Sequence, residues 1–489
     1  MKKIIVIGAG IGGLTAGALL AKKGHDVTIF ESHGTPGGYI AGFRRKGFYF
    51  ESGTLSFESS NAVFKMMKDI GVPDKVEFVR QKSGWVSPDF EGAPETYEEF
   101  KDMLRSAYPD EGTRLDRYFS ETDRMVRVFK PFMAEKKRFL DILFSGIRLL
   151  RVYRRYGGTP LSKYTAGFFP EDTVLYRFFS SLGYPEMAAW ILGGAIVTLF
   201  DDYWTVKNGM QSWADVMAER YRDIGGKLIL NSYVDKILTR HGAAVGVSCG
   251  DTRYEADYVI SACDYKKTFL ELLDNRELVP SELLEKIGKN AVSEGFFTVY
   301  LGLGLSGDRL RSYMKVPHVM FFDDRPGMDI HDSSDEAFFE KTSIGLYSPS
   351  LINPALAPAE KSSLMVQATV PYRWMDNWGG GDRKRYLALK ERVKDTMVKK
   401  ASSVIPGLTD LIEFEDAATP LTYERYTHNT DGATSAWSWN PANMFHKSFQ
   451  KVFVDTPVKN LLIGSCWATQ IGGIPGALNA AYRCVKKIG

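Results

Sequence analysis

Lys3-Ile4-Ile5-Val6-Ile7-Gly8-Ala9-Gly10-Ile11-Gly12-Gly13-Leu14 stands near the start of the chain, and its reading decides the fold. Lys3–Ile7 predicts a short buried parallel strand, β-branched and bounded by glycine. Leu14–Lys23 then reads as a helix closed by Gly24, and Asp26–Glu31 as a second strand. In such a strand–turn–helix–strand unit the spacing G-x-G-x-x-G gives each glycine its own reason. Gly8 permits the tight turn, Gly10 lets the backbone approach a pyrophosphate, and Gly13 lets the helix pack closely on the strand. The pyrophosphate then meets unpaired N–H groups and the positive end of the helix dipole. Glu31, 18 residues after Gly13, ends the second strand, where its carboxylate can accept both hydroxyls of an adenosine ribose.

Context separates this stretch from a decoy. Gly302-Leu303-Gly304-Leu305-Ser306-Gly307 has the same spacing, but Asp308-Arg309-Leu310-Arg311 follows, Pro317 comes early, and no acid-tipped strand appears. It reads as a loop ending a strand. The basic and apolar start of the chain superficially resembles a secretory signal, and the regular glycines at 8, 10, 12, 13 and 17 argue against that.

Working outward, 489 residues exceed one minimal core, so two packed domains are expected. A hydrophobic fraction of 44% and a charged fraction of 25% belong to an ordinary globular chain, and a net charge of +3 gives no reason to expect nucleic acid as a partner. Cys249, Cys263, Cys466 and Cys484 show no C-x-x-C pair, so neither a metal site nor a disulfide framework is expected. That composition favours a reducing, cytoplasmic setting. No uninterrupted apolar run is long enough to span a bilayer.

Residues 60–200 read as helical and irregular. A helix is expected over Gly209–Ile224, and strands over Lys227–Asn231, Ser232–Leu238, Ala244–Ser248 and Tyr258–Ala262. Residues 296–303 and 363–370 suggest a second sheet, and 383–404 an amphipathic helix stopped by Pro406. Asn460–Ile463 is a strand, followed by Gly464-Ser465 and, further on, Gly472-Gly473-Ile474-Pro475-Gly476 opening a final helix. This second glycine loop can aim backbone amides at an electron-rich group. Together with Pro36-Gly37-Gly38 it supplies a contact region that a minimal NAD domain does not need, so FAD is the expected cofactor. The expected nucleotide domain is discontinuous, built from 1–60, 205–290 and 450–489; 61–204 and 291–449 form the substrate region, with a helical, possible membrane-associating part at about 120–160.

These motifs resemble the phytoene desaturase, carotenoid isomerase and retinol saturase family of FAD enzymes. The resemblance rests on the N-terminal fingerprint, Glu31-x5-Gly37-Gly38, Phe48-Tyr49-Phe50-Glu51-Ser52-Gly53, Asn208-Gly209-Met210, and Gly225-Gly226-Lys227 leading to Val234. Thr419-Pro420-Leu421-Thr422-Tyr423-Glu424-Arg425-Tyr426 and the terminal loop complete it, while residues 60–200 match loosely. It implies an α/β fold, with a Rossmann-like FAD-binding domain of the glutathione-reductase or amine-oxidase type and an inserted α+β substrate domain. It also implies roles. Gly8, Gly10, Gly12 and Gly13 would surround the pyrophosphate and Glu31 the ribose; Gly37, Gly38, Gly53 and Thr54 would lie along the cofactor, and Val234 at adenine. Gly464, Ser465, Gly472, Gly473 and Ile474 would contact the ribityl chain and flavin ring. The chain departs from the family in having Tyr39 for a basic residue, Glu51 for Asp, and Gln470-Ile471 for Pro-Gly.

The implied activity is FAD-dependent oxidation or reduction of carbon–carbon bonds in a long apolar isoprenoid. Cis–trans isomerisation with reduced FAD, flavin amine oxidation and a non-catalytic prenyl-binding carrier of the GDP-dissociation-inhibitor type are the alternatives. Tyr423, Tyr426, Trp437, Trp439 and Trp467 are expected to line the substrate site because they flank the family motifs, although aromatic residues also fill ordinary cores. No catalytic triad or zinc motif is present in the sequence. Among seven scattered histidines, expected mostly at the surface, His428 is the one candidate acid or base. Residues 124–155 interleave Arg and Lys with Phe, Ile and Leu, which suits either a packed helix with a basic face or a helix lying on an anionic membrane.

Overall fold

A computed structural model describes residues 1–133, 139–184, 186–322, 335–446, 448–449 and 451–489. Strand Lys3–Ile7 is buried from Ile4 onward because it lies in the middle of a five-stranded parallel sheet. The order is Leu461–Ile463, Tyr258–Ser261, Lys3–Ile7, Asp26–Phe30, Lys227–Ile229, so strands far apart in sequence sit side by side. An antiparallel sheet of Lys236–Arg240, Ala243–Cys249 and Thr252–Glu255 belongs to the same core. The strand expected over Ser232–Leu238 begins only at Lys236, after Asn231 turns the chain with φ 51°.

Helix Ile11–Lys22 starts three residues earlier than expected, because Gly10 itself serves as its N-cap. It is buried on nearly every side, as its composition of Ile, Leu, Ala and Gly requires. Helix Gly473–Ile488 lies against it. A Cβ on Gly12 would stand 2.4 Å from the Gly464 carbonyl oxygen and 3.5 Å from the Ala477 Cβ. Gly13 faces inward, where a Cβ would come 2.0 Å from the Gly8 oxygen. Both glycines are therefore contact surfaces between backbones.

The second sheet has seven strands, in the order Ile412–Ala418, Gly295–Leu303, Ser362–Val370, Ile344–Tyr347, His318–Phe321, Ser83–Val86, Glu91–Gly92. Its pairs are antiparallel except His318–Phe321 with Ser83–Val86. The last two strands come from a region whose sequence shows only helical and irregular patterning. Helix Arg383–Ala401, capped by the Asp382 carboxylate, packs Leu389, Val393 and Met397 into this sheet's core. In the decoy segment the strand runs through Gly302 to Leu303, and Ser306 caps the short helix Gly307–Tyr313. Gly302 makes room for a neighbour: a Cβ there would meet the Phe48 ring at 2.5 Å.

Helices Gly112–Met133, Phe139–Tyr156 and Ile191–Asp201 share a third core rich in aromatic side chains. The described residues of the basic segment lie in helices Gly112–Met133 and Phe139–Tyr156. Glu135, Lys136, Lys137 and Arg138 lie outside the described residues, as do His331 and the side chains of Phe132, Phe139, Leu140, Asp141, Ile142 and Leu143. Among the described residues no helix is long and apolar enough to cross a membrane.

Gly12→Ala places a methyl group against a backbone carbonyl that cannot yield like a side chain. The expected cost is about 1–3 kcal/mol of stability, read as a lowered unfolding temperature by differential scanning fluorimetry. Gly10→Ala, whose Cβ meets nothing within 4 Å, leaves that temperature unchanged.

Candidate functional site

Two helix N-termini open into one cleft. Helix Ile11–Lys22 begins at Gly10 and helix Gly473–Ile488 at Gly472; neither has a side-chain cap or an acidic residue in its first turn. Their N–H groups remain available to an anionic or electron-rich ligand. Gly8, Gly10 and Gly12 share this cleft with Gly473, Ile474 and Ala477, which brings together residues more than 450 positions apart.

Glu31 lines the same cleft and is 7% exposed. Its carboxylate accepts from the Ala9 N–H at 2.7 Å, the His33 N–H at 3.0 Å and the Ser32 hydroxyl at 3.1 Å. A carboxylate offers about four acceptor positions, so the three internal bonds fix its direction and leave about one for a ribose hydroxyl. Gly37, at φ 133°, and Gly38, at φ 58°, adopt turns that a side chain disfavours. Gln211 holds this loop by accepting from the Gly42 N–H and donating to the Pro36 oxygen. A Cβ on Gly10 would project into open space, as a cradle for a pyrophosphate requires. The cleft therefore fits a dinucleotide.

Of the expected cofactor residues, Gly53, Thr54, Val234 and Ser465 also line the cleft. Gly13 and Gly464 stand behind it as packing residues, and Gly472 lines the neighbouring cavity. The three departures from the family pattern have visible partners. The Glu51 carboxylate, fully buried and held up at about 8 by desolvation, receives the Tyr49 hydroxyl at 2.7 Å and the Met210 N–H at 3.1 Å. Gln470 donates to the Ser438 oxygen and accepts from the His446 N–H, both at 2.8 Å. Tyr39 donates to the Ala433 oxygen at 2.8 Å, at the cleft wall.

Next to the cleft lies a cavity of about 1140 Å³, bounded by the seven-stranded sheet and the helical layer. The two spaces meet at Gly53, Thr54, Tyr184 and Phe296. Phe129, Trp190, Ile191, Ile196, Met320 and Phe449 give the cavity a largely apolar wall. Of the five aromatic residues expected to line a substrate, Trp439 stands on this cavity wall, packed on Tyr184 with ring centroids 4.7 Å apart. Tyr426 and Trp467 line the cofactor cleft. Tyr423 and Trp437 belong to packed interior: Tyr423 bonds Thr298 at 2.7 Å, and Trp437 stacks on Phe445 at 3.8 Å.

His428 also lines the cofactor cleft and is absent from the cavity wall. Burial and the nearby Lys267 lower its pKa. The expectation that histidines lie at the surface fails for His446, which is buried, bonded to the Trp467 oxygen at 3.0 Å, and lowered to about 4 by desolvation. Sequence reading missed Glu58, which lines the cavity where it reaches the terminal glycine loop. A Cβ on Gly473 would stand 3.6 Å from its Oε1. Desolvation and the nearby Asp202 raise the Glu58 carboxyl to about 7. Its nearness to Gly53 in sequence was the only available signal.

The family described as flavin containing amine oxidoreductase matches residues 11–300. A 4,4'-diapophytoene desaturase (4,4'-diapolycopene-forming) of Methylomonas sp is 27% identical, the match covering 91% of this chain and 89% of that protein. A chloroplastic prolycopene isomerase 2 of an Oncidium hybrid cultivar is 25% identical over 88% of this chain and 74% of its own. The crystal structure of an oxidoreductase from Methanosarcina mazei aligns with a TM-score of 0.66 at 16% identity, covering 99% of this chain and all of its own, and so shares the fold.

Gly10→Val fills the open cradle from a Cβ that meets no protein atom within 4 Å. It should yield a normally folded chain whose bound-flavin absorbance falls to a small fraction of the parent's, checked by the visible-to-ultraviolet absorbance ratio alongside circular dichroism.

Proposed function

The chain belongs to the flavin containing amine oxidoreductase family, and from that premise we propose that it desaturates or saturates a carbon–carbon bond of a long, apolar, polyene-like substrate. A flavin seated in a dinucleotide cradle is FAD, and FAD is the cofactor. The observation that carries the proposal is the apolar cavity, which meets the cofactor cleft at Gly53, Thr54, Tyr184 and Phe296. The relatives named as a desaturase and an isomerase of polyenes support the same substrate class. Lys266 and Arg373 on the cavity wall disfavour a cationic amine.

Bound FAD supplies hydride transfer at its isoalloxazine ring. Gly8, Gly10, Gly12 and Glu31 would hold its adenosine diphosphate part, and Ser465, Gly473 and Ile474 its flavin part. The cavity wall orients the chain of the substrate and keeps water from the reacting carbons. Glu58 stands where the cavity reaches Gly473 and exchanges a proton near neutral pH, so it serves as the group that takes or gives the proton accompanying hydride transfer.

Membrane loading of such a substrate fits helix Phe139–Tyr156. Phe144, Ile147 and Leu150 are 55%, 48% and 49% exposed, among exposed Arg148, Arg151 and Arg154. On its other side, Tyr153 packs against Trp190 and Phe449, both in the cavity wall.

Mass spectrometry of the product of an acyclic C30 or C40 polyene tests the activity: a change of two hydrogens is expected, and unchanged mass would instead mark isomerisation. For desaturation, the rate should rise with pH through about 7 as Glu58 loses its proton, and for saturation it should fall. Glu58→Gln should flatten that limb and lower the rate by about 10²–10⁴-fold. In flotation assays the protein should rise with phosphatidylserine vesicles, and Arg148→Glu with Arg151→Glu and Arg154→Glu should keep it at the bottom.

A further inference from the structure

An apolar cavity for a pure hydrocarbon has no use for a buried ammonium group. Lys266 is 8% exposed and lines the cavity, yet its Nζ makes one hydrogen bond, to the Gly288 oxygen at 3.1 Å. An ammonium carries three donors. Arg373, exposed and on the same wall, has neither a hydrogen bond nor an ion pair among the described residues. The two cations are close enough to influence one another and Asp431, which also lines the cavity. No ion pair within 4 Å joins either cation to Asp431 among the described residues.

The remaining nearby charges are already engaged. Both oxygens of Asp264 accept backbone N–H groups, from Lys267 at 2.9 Å and Thr430 at 2.6 Å. Glu424 receives the Tyr372 hydroxyl at 2.6 Å, and Lys289 pairs with Glu285. Lys266 and Arg373 thus present unfilled donors to the cavity, and of the carboxyl groups on its wall Asp431 is the one that influences them. Burying an ammonium without partners is costly unless something entering the cavity completes its shell.

We infer that the cavity takes an amphipathic substrate, a long apolar chain ending in a carboxylate, and that Lys266 and Arg373 hold that carboxylate. Two cations facing one anion suit a monoanion better than a diphosphate, whose further charge would meet Asp431. Arg373 offers the planar fork that matches a carboxylate, and Lys266 a point charge deeper in the wall. This inference rests on the polyene reading above and narrows it: the head group would fix which bond of the chain lies beside the cofactor.

The test compares all-trans-retinoic acid with its methyl ester, two polyenes differing only in charge at the head. Binding to the purified holoenzyme is read by quenching of tryptophan fluorescence. Acid should bind about tenfold or more tighter than ester, in keeping with a hydrogen bond to a charged group. Lys266→Gln and Arg373→Gln should each remove most of that preference while moving the ester's affinity less than about twofold. Arg373 is exposed, so its variant keeps the fold even if the buried lysine proves structurally necessary. Equal affinity for acid and ester, or a preference untouched in Arg373→Gln, overturns the head-group assignment and leaves the polyene reading standing. Failure of both compounds to bind overturns the two together.

Discussion

The contact between the two helices that begin at Gly10 and Gly472 is the constraint on which the rest depends. Gly12 lacks a side chain where the Gly464 carbonyl and Ala477 approach, and only that omission lets the final helix lie against the first. The consequence is electrostatic as well as steric. Two sets of uncapped N–H groups face one cleft, and their partial positive charges reinforce each other toward an anionic ligand. The carboxylate of Glu31, on the same cleft, carries the opposite charge and is held by the loop itself. Its bonds to Ala9, Ser32 and His33 fix its direction and make it a brace for the loop. The cofactor site is therefore a product of backbone packing more than of particular polar side chains.

That origin explains what could be read from the sequence. Glycine spacing has few physical causes, so Gly8, Gly10 and Gly13 between a strand and a helix located the first half of the cleft, and the terminal loop located the second. The family resemblance agreed with both. The same logic also fails instructively at Gly302, where a glycine answers to a neighbouring phenyl ring, and the pattern alone carries no mark of that. Family motifs guided the reading of Tyr423 and Trp437 toward a substrate, yet each fills packed interior. A motif records that a position matters without saying which of its neighbours is the reason.

The cavity was the least legible part. Its wall comes from Phe129, Trp190, Ile196, Met320 and Phe449, in segments with no shared spacing. They converge only because the helical layer closes over the second sheet, a long-range arrangement that local periodicity does not encode. Glu58 and Lys266 were invisible for a related reason. Burial gives each its chemical character, since an exposed Glu or Lys would be ordinary. Glu51 and Gln470 show the opposite case: as departures from a family pattern they raised a question, and the structure answers it with specific hydrogen bonds to distant segments.

The parallel sheet has a temporal side. Strands Lys3–Ile7 and Asp26–Phe30 are synthesised more than 400 residues before Leu461–Ile463, which completes one edge, and Gly473, which opens the second helix of the cradle. At roughly 5–20 residues per second, about 20 to 90 s separate the synthesis of Glu31 from that of Gly476. Throughout that interval the nascent chain has only half of its nucleotide cradle, and once made the apolar strand Tyr258–Ser261 lacks its outer neighbour until Leu461–Ile463 follows. A complete cradle is accordingly unavailable to the cofactor until Gly472–Gly476 has been made, and until Leu461–Ile463 is made the edge of Tyr258–Ser261 stays open to pairing with other chains.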